Sequence, residues 1–146
     1  MPTPNESFAH GEHNEKACLL LKLNDFSDWT ITTAFYASLH FVTSKIFPFE
    51  YNPNGKNNIR FVDIAQWQSF KRYGAAQRHG LMVELVARDC EKIANEYEWL
   101  LSTSWNARYH SHVHMPEIVN KSVSYMQTIK KFCDPAKESE KVAIRK

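Results

Sequence analysis

At 146 residues and 17.0 kDa the chain is long enough for one domain and too short for two comfortable ones. Hydrophobic residues make up 43% and charged residues 23%, as in an ordinary soluble globular protein, and only 4 glycines argue against a turn-rich β-sandwich and for helices. Eighteen basic against 16 acidic residues leave a formal charge of +2, so a surface for RNA must come from local clustering rather than from net charge.

The N-terminal stretch MPTPNESFAHGEHNEK is polar and has no apolar core, so no secretory signal is expected. The first helix is predicted from about Glu12 to Lys22, with Ala17, Leu20 and Leu21 as its apolar stripe and Cys18 beside them. LNDFSD then turns the chain. Ser27 is the expected N-cap of the second helix, and Asp28 favours the positive end of its dipole. That helix runs from Asp28 to about Phe47. Trp29, Ile31, Phe35, Tyr36, Leu39, Val42 and Ile46 make it apolar almost all round, which marks it as the central helix, and Pro48 stops it. Its uncharged run, Trp29 to Ser44, is short for a membrane span and carries a histidine and several hydroxyls.

PFEYNPNGKNN has the composition of a loop. Ile59 to Tyr73 reads two ways, as a short helix or as an ordered flap across the core. From about Ala75 to Ser104 apolar residues recur at threes and fours, which predicts one helix roughly 45 Å long at about 1.5 Å per residue. After the polar STSWNARYHSHVH, Pro116 suits the first position of a last helix whose inner stripe is Ile118, Val119, Val123, Met126 and Ile129. The charged segment after Cys133 is expected to fray. The expected fold is all-α: an up-and-down bundle of four to five helices in a single domain over 1–146, with flexible tails at 1–10 and 134–146 and a long loop between helices two and three. Cys18, Cys90 and Cys133 are odd in number and lack a CxxC pair, which suggests buried thiols in a reducing cytosol.

NARYHSHVHM holds the densest chemistry. A histidine near its free pKa of about 6.5 exchanges protons at cellular pH, and an arginine holds two phosphate oxygens at once. Arg108 with a histidine is therefore a minimal apparatus for cutting RNA without metal: a base takes the ribose 2′ proton, the guanidinium steadies the phosphorane, and an acid protonates the leaving oxygen. A plain polar loop between two helices accounts for the same residues. A third reading makes His110, His112 and His114 a chelating row if the segment is extended, with Glu117 nearby, but adventitious binding is the better account of such a row, and neither a metal nor a cofactor is expected.

His40, one turn after Tyr36, is either a satisfied core histidine or part of a cleft facing the third and fourth helices. His79 could cap the long helix or line that same cleft. In RFVDIAQWQSFKRYGAAQRH, Arg60, Lys71, Arg72, Arg78 and His79 interleave with Phe61, Trp67, Phe70 and Tyr73, as in single-stranded RNA binders. The alternative is a loop pinned to the bundle by its aromatics with its cations facing water. Gly-rich phosphate loops, GxSxG and HExxH are absent.

HNEKACLLL, FSDWTITTAFYASLHFVTSKIF, QRHGLMVELV and YEWLLSTSWNARYH, in that order, resemble the prokaryotic HEPN superfamily, and in particular small stand-alone HEPN-like proteins. The resemblance covers about His13 to Cys133. It implies a helical bundle, commonly a homodimer, whose composite cleft cuts RNA without metal, in toxin–antitoxin, abortive-infection or CRISPR-linked defence; other members only bind. It implies Arg108 as phosphate clamp and His114, after five intervening residues, as general acid or base, with Tyr109, His110 and His112 in support. Tyr109 stands where the family usually has Asn, Asp or His. The partners so implied are RNA, a second copy of the chain and a cognate antitoxin or regulatory protein, in the cytoplasm and away from the membrane. A non-catalytic module binding RNA, a nucleotide or a partner protein is the alternative.

Overall fold

The computed structural model describes residues 2–136, and they form an all-α bundle. The first helix, α1 (Pro4–Leu23), begins well before the expected Glu12. Thr3 Oγ1 accepts from the Glu6 N–H at 3.2 Å while Glu6 Oε2 accepts from the Thr3 N–H at 3.2 Å, and Pro4 fills the first helical position. Such a capping box satisfies two otherwise orphaned donors and starts the helix at once. The expected tail over 1–10 is thereby corrected: residues 4–10 are helical, Ser7 and Phe8 are buried, and the Phe8 ring lies 5.0 Å from that of Phe41.

Helix α2 (Ser27–Ile46) is central, as its all-round apolarity requires, and packs on α1, α5 (Ala94–Tyr109) and α6 (Pro116–Cys133). Phe35, Phe41 and Val42 on it are fully buried, with Tyr97 and Leu100 of α5 and Met126 and Ile129 of α6. At Gly11 a side chain is excluded: an added Cβ would stand 2.5 Å from a ring carbon of Phe41. Ser27 is the first residue of α2 rather than its N-cap; Phe26, whose ring has no acceptor to offer, holds that position, and the Ser27 hydroxyl bonds to the 112–114 backbone instead.

Two corrections concern the middle of the chain. The segment after Pro48 is not a plain loop: β1 (Phe49–Tyr51) pairs antiparallel with β2 (Ile59–Phe61), Phe49 opposite Phe61, and α3 (Ile64–Phe70) follows with Asp63 as its cap. Phe61 and Trp67 are buried and their rings meet at 4.9 Å, so these aromatics fasten the hairpin to the bundle. The expected long helix is also two helices, α4 (Arg78–Asp89) and α5, separated at Cys90 (φ −132°, ψ 45°) and a 3-10 turn over Glu91–Ile93. Asp89 sits at the negative end of α4, where a carboxylate is unfavourable, and is held by Arg88 at 2.8 Å. Cys90 and Ile93 point into the core, so the apolar rhythm that suggested one rod survives the bend.

Helix α5 continues to Tyr109, through residues expected in a polar connection. Helix α6 starts at Pro116 as expected, with Val119, Val123, Met126 and Ile129 buried. Of the tail expected from 134 onward, residues 137–146 lie outside the described residues. No described helix is long and apolar enough to cross a membrane.

Candidate functional site

Arg108 lies in the last turn of α5, half-buried. Its Nη1 donates to the Tyr36 hydroxyl at 2.6 Å and its Nε donates to the Ser104 carbonyl at 3.3 Å. Among the described residues it forms no ion pair. Its charge is surrounded instead by π-faces, with the guanidinium carbon 5.5 Å from the Tyr36 centroid, 5.9 Å from Trp105 and 5.5 Å from Tyr109. Trp105 and Tyr109 pack at 4.5 Å yet stay 52% and 62% exposed. Trp29, 55% exposed, lines a cavity of about 220 Å³ with Arg108, Asp28 and Thr32.

His79, at the start of α4, belongs to the same neighbourhood. Its ring meets Phe35 edge-on at 5.6 Å, and Phe35 is the chain neighbour of Tyr36. Burial first, then the charges of Arg108 and Arg78, hold His79 below the ordinary histidine range, so it is neutral at pH 7.

His114 is placed differently. The Ser27 hydroxyl donates to the His112 carbonyl at 3.0 Å and accepts from the His114 N–H at 3.2 Å, fastening the 110–115 connection to the start of α2. His114 Nε2 lies 2.8 Å from the Ser111 carbonyl; a carbonyl only accepts, so that nitrogen carries the proton. His112 and His114 line a cavity of about 400 Å³ with Phe26, Asp28 and Asn120. Among the described residues no hydrogen bond joins Arg108 to His114 and the two line different cavities, with Asp28 lining both. Exposed His110 follows α5 as its C-cap. No three His, Cys, Asp or Glu side chains among the described residues gather as a metal site, so the histidine row does not converge.

The remaining cations are dispersed. Arg60 is exposed on β2 and lines a separate cavity with Pro2 and Phe47. Lys71 lies 5.3 Å over Trp67, Arg72 adopts φ 61°, and Arg78 Nε donates to Gln68 at 2.8 Å. His40 stacks on His10 at 3.7 Å, against α1 rather than in the Arg108 cluster, and burial together with His10 lowers it to about 4. Trp29 and Trp105 were not singled out as site residues from the sequence. Trp105 precedes Arg108 by one helical turn, a signal hidden by reading that stretch as a loop.

Fold and site together define an all-α bundle with an arginine–aromatic face at one end. No family model, curated protein or solved structure matches the chain.

Proposed function

We propose that the protein binds single-stranded RNA at the Arg108 face. One observation carries this reading: a permanently charged guanidinium without an ion-pair partner among the described residues, beside the exposed rings of Trp29, Trp105 and Tyr109. The charge suits a phosphodiester, and the rings suit unstacked bases, which a duplex does not offer. Fluorescence anisotropy with a single-stranded RNA and its duplex tests it; clear preference for the single strand is expected, and equal binding of both would refute it.

A second reading adds metal-independent cleavage at this place, in the toxin or defence setting that the HEPN resemblance implies. One arrangement favours it: the His79 ring packs edge-on against Phe35 at 5.6 Å, next in the chain to the Tyr36 that holds Arg108, and burial and then Arg108 lower the His79 pKa, so it can serve as a proton acceptor. Incubating RNA with the protein in EDTA and analysing product ends decides between the readings. Cyclic phosphate ends lost in His79→Gln support cleavage; intact RNA leaves binding alone.

A further inference from the structure

We propose that the Arg108 face selects guanine, with the Asp28 carboxylate as the residue that reads the base; this rests on the RNA-binding reading above. Asp28, in the first turn of α2, is half-buried and lines both the cavity holding Arg108 and the neighbouring cavity of about 400 Å³. A nucleotide whose phosphate meets Arg108 thus has Asp28 and the larger cavity next along its path. That volume lies in the range of small-molecule pockets and admits a purine.

The polar groups around this cavity narrow the choice of base. The Ser27 hydroxyl proton is committed to the His112 carbonyl, the Thr30 hydroxyl proton to the Phe26 carbonyl at 2.8 Å, and the His114 Nε2 proton to the Ser111 carbonyl, so none of these three is free to donate to a base. The Asp28 carboxylate, by contrast, accepts no hydrogen bond and forms no ion pair among the described residues; the Asp25 carboxylate on this cavity is equally unengaged, but of the two only Asp28 also lines the cavity of Arg108. A carboxylate is an acceptor pair, and of the four RNA bases guanine alone offers two adjacent donors, N1–H and the N2 amine, on one edge. Lys22 and Asn120 also line this cavity and carry donors that suit guanine O6. Adenine would set its N1 lone pair against the carboxylate. Phe26, 52% exposed at the rim, offers a ring face to the purine.

The test uses the full chain and a short labelled oligouridine carrying one central guanosine, adenosine or inosine. A bidentate base contact gives guanosine at least about tenfold tighter binding than adenosine, with inosine, which lacks the N2 amine, in between. Asp28→Asn should bring the ratio of guanosine to adenosine affinity close to one, and because the readout is that ratio, a uniform change in affinity from the lost charge leaves it unaffected. Equal affinity for guanosine and adenosine strands in the unmodified protein overturns the inference without touching the RNA-binding reading, and so does a preference that survives Asp28→Asn in a variant whose circular dichroism is unchanged. If no strand binds, both readings fall together.

Discussion

Arg108 and Tyr36 are joined by a 2.6 Å hydrogen bond that ties the last turn of α5 to the middle of α2. The arginine is thereby fixed against the central helix, and its side-chain entropy is lost before any ligand arrives. Tyr36→Phe removes the acceptor but keeps the ring and the Ser104 contact. We expect a stability loss of about 1 kcal/mol and an RNA affinity several-fold weaker, chiefly through faster dissociation. Denaturant titration and stopped-flow binding measure the two; unchanged dissociation would show that the bond does not pre-organise the guanidinium.

Gly11 faces Phe41 so closely that an added methyl would lie 2.5 and 2.6 Å from ring carbons and 3.1 Å from the Ala37 carbonyl. Phe41 is fully buried and the carbonyl is backbone, so neither can yield freely. Gly11→Ala should cost about 1–3 kcal/mol despite the better helix propensity of alanine. A midpoint equal to that of the unmodified protein would mean that α1 and α2 pack less tightly than described.

The Tyr97 hydroxyl is buried with no protein partner among the described residues, and burial pushes its pKa well above the usual tyrosine value. An unsatisfied buried hydroxyl carries a desolvation cost of about 1–3 kcal/mol. Tyr97→Phe should therefore leave stability unchanged or raise it by about 1 kcal/mol. Destabilisation beyond about 1 kcal/mol would indicate that the hydroxyl is hydrogen-bonded in solution.

His40 gives the bundle an acid sensitivity. Burial, then the stacked His10, lower its pKa from 6.5 to about 4 in the folded state. The unfolded chain therefore binds the proton more readily, and stability falls as the pH drops from about 6.5 toward 4. Thermal melts across that window should show a flatter decline for His40→Gln than for the unmodified protein. Parallel curves would contradict the shift.

Much of the fold was legible because its signals are local. All-round apolarity made α2 central, and Pro116 with its stripe gave α6. What failed depended on distant contacts. Phe49–Tyr51 and Ile59–Phe61 each alternate apolar and polar residues, but three residues are too few to signal a strand, and they pair because Phe49, Phe61 and Trp67 cluster. The apolar rhythm over 75–104 could not reveal the bend at Cys90, since both arms bury the same face. The Thr3–Glu6 capping box was present in the sequence and passed over in favour of a polar tail. Arg108 and Tyr36 were both legible as candidates, but their meeting requires α5 to persist through STSWNARY. A neutral His79 beside them follows only once α4 is placed.

The most direct measurement is the affinity of Arg108→Ala for a single-stranded RNA, compared with the unmodified protein at fixed salt. Tyr36 and Ser104 keep their own helices when the guanidinium is gone, so the variant is expected to fold; a superimposable circular dichroism spectrum and melt would establish it. The account predicts at least about a tenfold loss of affinity, as befits a charge-assisted phosphate contact that also orders the stacking rings. Binding as tight as that of the unmodified protein would contradict it, because the RNA would then be meeting some other surface.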